Sequence, residues 1–196
     1  MAGVGSSEEG RIFFGRTLAR CQALQLLFQA EACGRTVEDV LAGDYAVSQG
    51  PLDEYGRDLA LGTYSCIPEL DHVVANASER WEVSRMPAVD RNLMRVAVYE
   101  ILHVDEVPVA VTIDESVELA KAFGTDDSAK FINGVLGRVV RDNVDPALIA
   151  AEQERAAQAA AEAAEARQAA AVPADTADAA RASSLADLAA LDGEAE

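Results

Sequence analysis

Between Val109 and Val140 the sequence VAVTIDESVELAKAFGTDDSAKFINGVLGRVV allows little besides two short helices joined tightly. Apolar residues return at Val117, Ala120 and Phe123, with Leu119 beside them, and Gly124 supplies the stop. A second helical repeat, Phe131, Val135, Leu136 and Val139, follows after a few polar residues. Thr112 to Glu115 has the form of a capping box, in which a threonine oxygen accepts an orphan N–H and the glutamate reaches back. Asp126 and Asp127 fall at the second helix start, where the helix dipole favours negative charge. Gly134 and Gly137 cost helix propensity, which predicts a close approach by a neighbour there. The stretch is expected to be a helical hairpin.

The rest of the chain carries the same period. From about Gly15 to Cys33, Gln22, Gln25 and Gln29 form a polar stripe, while Leu18, Cys21, Leu24, Leu27 and Phe28 cover most of the remainder. Such a helix is mostly enclosed by its neighbours. Gly34 ends it, and Thr36 to Leu41 reads as a capped short helix. Residues 43–51, with Gly43, Gly50 and Pro51, read as a loop. A third helix is expected over Leu52 to Cys66. Pro68, tolerated in a first turn, starts a fourth that reaches Trp81. Pro87 opens a long central helix to about Val104, and Val107-Pro108-Val109 breaks the chain before the hairpin. No stretch alternates with period two long enough to demand a strand. The expected fold is all-α, a compact bundle of about seven helices over residues 11–145, after a disordered segment 1–10.

Composition changes abruptly after Pro146. Residues 147–171 are mostly Ala, Glu, Gln and Arg, rich in helix propensity but poor in bulky apolar groups, with no heptad to support a coiled coil. The extension 146–196 is therefore expected to begin as a solvated helix and become disordered beyond Val172-Pro173. Leu185, Leu188 and Leu191 are compatible with a short docking segment, against the simpler expectation of an unstructured acidic tail.

Charge limits the partners. The chain holds 34 acidic and 16 basic residues, a net charge of −18, and through Asp145 alone 24 acids face 13 bases. That balance excludes a generic nucleic-acid binder, so any RNA contact needs a concentrated patch. Cys21, Cys33 and Cys66 have no C-x-x-C spacing and read as three buried or partly buried free thiols, a usage that fits a reducing cytosol. The opening MAGVGSSEEG does not have the form of a secretory signal, and no apolar run is long enough to span a bilayer, so a cytoplasmic protein without membrane contact is expected.

No phosphate loop, dinucleotide fingerprint, metalloprotease helix or nucleophile elbow occurs in the sequence. His72 and His103 each stand alone and read as surface or packing residues. Asp114, Glu115 and Glu118, like Asp126 and Asp127, are explained by helix N-terminal electrostatics. No catalytic residue, cofactor or metal is expected. The positive charges say more. Arg11, Arg16 and Arg20 gather at the front of the first helix, Arg16 and Arg20 sharing a face at i, i+4, and Lys121 and Lys130 lie on the hairpin. Arginine forks suit phosphate, and unpaired bases stack on aromatics such as Phe131. On spacing alone these arginines still read as a solvated helix end.

A resemblance changes that weight. The runs D-E-S-V-E-L-A-K-x-F-G and K-F-I-N-G-V-L within residues 107–139 closely resemble the last helices of the transcription antitermination factor NusB family. Asp90 to Ile101 resembles that family's central helix, and Ala19-Arg20, Ala23 to Gln25 and Leu27-Phe28 its first. The similarity covers roughly residues 11–141. It implies an RNA-binding, non-enzymatic transcription factor subunit that holds boxA-type single-stranded RNA together with the small-subunit ribosomal protein acting as NusE. The setting would be an RNA polymerase antitermination complex, including on ribosomal RNA operons. Carried over by residue, Arg16 and Arg20, with Arg11 beside them, match the basic motif, and Lys130 and Phe131 match the last-helix contribution to RNA. Phe28 and Asp90 match the face that receives the protein partner. Thr17 and Leu18 stand where the family commonly has further basic residues, which implies RNA affinity that depends on that partner. An interaction module with little RNA affinity of its own is the alternative, and a homodimer remains open.

Overall fold

The computed structural model describes residues 12–78 and 81–170, and every regular element within them is helical. In chain order these are α1 (Gly15–Cys33), α2 (Val37–Ala42), α3 (Glu54–Ser65), α4 (Ile67–Ala77), a 3-10 turn (Val83–Arg85), α5 (Ala88–His103), α6 (Val109–Phe123), α7 (Ser128–Asn143) and α8 (Pro146–Ala170). The all-α expectation holds. The chain divides into two compact units after Ile149.

Within the first unit, α1 and α5 run through the middle and divide the core into two apolar clusters. One gathers Cys21 and Leu24 of α1, Leu70 and Val74 of α4, Met94 and Val98 of α5, and Leu119, Ile132 and Leu136 from α6 and α7. The other gathers Leu26 and Leu27 of α1 with Val37, Val40, Leu59 and Val96. Burying each leucine contributes about 1.5–3 kcal/mol, so α1 is held from both sides, as its sequence pattern predicts.

The glutamine stripe on α1 has a specific use. Gln22 Nε2 donates to the carbonyls of Gln49 and Pro51, both at 2.9 Å, and its Oε1 accepts from Asp53 N. Gln25 Oε1 accepts from Ser48 N at 3.0 Å. Gln29 Oε1 accepts from Ala46 N at 2.9 Å while its Nε2 donates to Ala46 O at 2.7 Å. Three side-chain amides thus fasten the backbone of an irregular segment to α1.

Four local expectations are corrected. Thr112 does not cap α6, because that helix already begins at Val109 after Pro108; its hydroxyl donates to Glu100 Oε2 at 2.6 Å. Pro108 fixes the preceding turn, and tertiary pairing takes over the threonine. Helix α4 stops at Ala77 rather than Trp81, with Ser78 Oγ donating to Ala75 O and Trp81 O. Gly134 and Gly137 face open space; the close approach belongs to α3, where a Cβ on Gly62 would lie 2.2 Å from Tyr99 Oη. Cys33 is exposed, whereas Cys21 is buried and Cys66 half-buried.

At the far end, α8 begins with Asp145 Oδ1 accepting from Ala147 N at 2.8 Å, and side chains 153–168 are exposed. The disorder and leucine-docking expectations for 172–196, and those for 1–10, lie outside the described residues. Among the described residues no helix is long and apolar enough to cross a membrane.

Candidate nucleic-acid interface

The link between α6 and α7 sets one candidate surface. Gly124 closes α6, and the Thr125 N–H donates to Ser128 Oγ at 2.8 Å. That hydroxyl donates in turn to Asp90 Oδ2 at 2.9 Å, fastening the first turn of α7 to the first turn of α5. Lys130 and Phe131 follow directly, Lys130 exposed and Phe131 half-buried. Because α4 ends early, Trp81 is freed: it is 55% exposed, and its ring centroid lies 5.9 Å from that of Phe131, the planes tilted by 55°. These residues, with Ser78, Asp127 and Arg138, line a groove of about 410 Å3. A second recess of about 300 Å3 shares Trp81 and Phe131 and adds Met86, Asp90 and Ser128. Buried Asp90 keeps its Oδ1 without a hydrogen-bond partner among the described residues. A carboxylate oxygen so placed costs desolvation unless a donor reaches it.

The front of α1 is built differently. Arg20 is 2% exposed, and its Nε donates to both oxygens of Glu100, at 3.0 and 2.9 Å. Glu100 also accepts from Thr112 and from the hydroxyl of Tyr55, so α1, α3 and α6 all converge on one carboxylate of α5. Burial, and then the hydrogen bond to Glu100, push the Tyr55 phenol above its ordinary value. Arg16 is exposed, with its Cζ 5.0 Å from the centroid of the Tyr55 ring. Arg16 and Arg20 do share a face, but it is open to solvent at Arg16 and sealed at Arg20. The expectation that Arg20 offers its guanidinium to a phosphate is corrected, since a charge this deep needs the Glu100 counterion more than solvent. Arg11 lies outside the described residues. Thr17 donates to Glu115, and Lys121 Nζ bonds Glu118 Oε1 at 2.6 Å. The arginines of α5 are also engaged, Arg91 with Glu31 and Arg95 Nε with Asp71 Oδ1 at 2.6 Å.

Phe28 is 42% exposed and lines an apolar hollow of about 500 Å3 with Leu24, Val89, Phe123 and the Ala46–Ser48 segment. Val89 of that hollow and Asp90 of the second recess are consecutive residues in the first turn of α5. The structure thus brings Lys130, Phe131 and Asp90 together, sets Phe28 in a separate hollow and leaves Arg20 inside. Sequence reasoning missed Trp81 and Glu100. Trp81 is the single tryptophan of the chain and sits next to a helix end; Glu100 is a lone acid in the run Val96 to Leu102, which is a signal of a buried pair.

The all-α bundle thus presents an open groove lined by two aromatic rings with a cation at its rim, while Arg20 is tied to Glu100 in the interior. Comparison with known proteins makes this specific. Residues 17–141 match the model of the NusB family. The Transcription antitermination protein NusB of Salinispora tropica is 46% identical over 127 residues, covering 63% of this chain and 93% of that protein. T. maritima NusB superposes with a TM-score of 0.58 at 30% identity, covering 70% of this chain and 98% of that one. A NusB solved with NusE and double-stranded RNA gives a TM-score of 0.55 at 22% identity, covering 65% of this chain and 96% of that one, a likeness that speaks for the fold alone. The chain belongs to the NusB family, whose members are transcription antitermination proteins and not enzymes.

Proposed function

We propose that this protein holds boxA-type single-stranded RNA jointly with the small-subunit ribosomal protein that acts as NusE, in a cytoplasmic RNA polymerase antitermination complex that serves ribosomal RNA operons among others. The observation that carries the reading is the Trp81–Phe131 pair with Lys130 at its edge. Two aromatic faces give unpaired bases a stacking platform worth about 1–3 kcal/mol per base, and the ammonium group attracts the backbone locally despite the negative net charge. Arg16 is an additional cation for the same strand, as is Arg11. Asp90, with an oxygen lacking a donor, and Phe28, in its apolar hollow, serve the protein partner. Two modest surfaces on one rigid bundle then act as a unit, because binding of one component raises the effective concentration of the other.

Fluorescence anisotropy with labelled boxA RNA, with and without the ribosomal protein, tests this on the full chain and on residues 1–145. Binding should tighten with the partner and weaken with salt. Failure to bind either species at low salt overturns the proposal. A second reading, a protein adaptor with little RNA affinity, is favoured by the commitment of Arg20 to Glu100. It requires that partner binding survive while RNA affinity is unchanged in a Lys130→Ala/Phe131→Ala double variant.

A further inference from the structure

We propose that Cys66, Glu69 and His103 form a binding site for one divalent transition-metal ion of the zinc type. The three arrive from separate places. Cys66 joins α3 to α4, Glu69 lies in the first turn of α4, and His103 is the last residue of α5. One ligand atom from each, the thiol sulfur, a carboxylate oxygen and a ring nitrogen, lie within 4.8 Å of one another. His103 Nε2 is already 3.7 Å from Glu69 Oε1. Tetrahedral zinc, with bonds of about 2.0–2.3 Å, spaces its donors roughly 3.3–3.8 Å apart, so the triad needs to close by about 1 Å. Glu69, which is 58% exposed, has the rotamer freedom to supply that movement. The i, i+3 spacing keeps Cys66 and Glu69 on one side of the helix start. The imidazole is steadied by the Tyr99 ring, 4.9 Å away between centroids.

The donor set selects the cation. Sulfur with imidazole favours zinc and its neighbours over magnesium or calcium, which prefer all-oxygen cages. Three protein ligands leave a fourth position for water. His103 and Asp90 mark opposite ends of α5, roughly 20 Å apart at about 1.5 Å per residue, so the ion sits away from the candidate RNA groove. Bound there, it ties the α3–α4 corner to the end of the central helix, just before the chain leaves for α6.

Cobalt(II) titration of the reduced, metal-stripped full-length protein tests the site. The expected result is a sulfur-to-cobalt charge-transfer band saturating at one ion per chain, displaced by zinc. The band should vanish in Cys66→Ser and persist in Cys33→Ser, which removes the one exposed thiol among the described residues. His103→Ala and Glu69→Gln, both at exposed positions, should each weaken affinity by at least about tenfold with unchanged helical circular dichroism. Zinc should raise the melting temperature of the unaltered protein and leave that of Cys66→Ser where it was. A band that survives Cys66→Ser, a band lost in Cys33→Ser, equal affinity in the His103 variant, or no saturable band overturns the proposal.

Discussion

The inner side of α3 and the outer side of α7 carry similar residue types to opposite ends. Around α3, Tyr55, Arg20 and Glu100 are sealed together, and Gly62 lets Tyr99 pass at close range. Along α7, Lys130 is open, Phe131 is half covered, and Gly137 has nothing near its missing Cβ. An arginine, a tyrosine and a glycine on the first surface pack toward the interior; a lysine, a phenylalanine and a glycine on the second are open or partly open to solvent. What separates them is burial. Arg20 is sealed in the bundle against Glu100, whereas Lys130 lies at the rim of an open groove and faces solvent.

Breaking the inner network should have the largest effect. Glu100→Ala strips Arg20 of its counterion and is expected to lower stability by about 3–5 kcal/mol in urea unfolding. An Arg20→Met/Glu100→Leu pair should recover much of that, because it removes both charges. Tyr55→Phe comes next, at about 1.5–3 kcal/mol for a hydrogen bond to a charged acceptor. Its pH signature is specific. The phenol's value is raised in the folded state, so its stabilisation is complete below the unfolded value of about 10 and is lost as pH rises toward the folded one. The phenylalanine variant should therefore lose less stability than the unaltered protein above about pH 10, as followed by thermal melts across pH.

The outer surface answers to a different assay. Phe131→Ala should weaken RNA binding by about 1–3 kcal/mol, or roughly 5- to 150-fold, in the presence of the partner, with the urea midpoint shifted little by comparison with Glu100→Ala. The two glycines give opposite signs. Gly62→Ala collides with Tyr99 and should cost about 1–3 kcal/mol, whereas Gly137→Ala gains helix propensity and should stabilise by about 0.5–1 kcal/mol. Smallest is Lys130→Ala, expected to reduce the slope of log affinity against log salt by about 0.7, the value for one single-strand phosphate contact. If Arg20→Ala changed that slope as much without loss of stability, the distinction between the two surfaces would fail.

Periodicity and stop signals made the helices legible, because apolar spacing reports which face a helix buries. Gly34, Thr36, Pro68 and Pro87 marked ends that the structure keeps. Pairings between distant residues were less accessible. Thr112 and Glu115 satisfied a local capping pattern, yet each found its partner elsewhere, in Glu100 and Thr17. Arg16 and Arg20 were correctly placed on one face, but spacing along a helix does not state what the face meets. The apolar pattern carries α4 on to Trp81, whereas the helix ends four residues earlier at Ala77, and Ser78 closes it where the tryptophan ring comes to lie beside Phe131. Family likeness supplied the roles proposed for Lys130, Phe131, Phe28 and Asp90, which composition alone would have ranked below a solvated helix end.

The amides of Gln22, Gln25 and Gln29 grip carbonyls and N–H groups, with Ser48 Oγ the one side-chain partner among these bonds. A strap anchored through its main chain keeps its route whatever residues it displays. Ala46 and Val47, at the lip of the hollow beside Phe28, are consequently free to be exchanged, so the preference of that lip for one visitor over another can be retuned without rebuilding the scaffold beneath it.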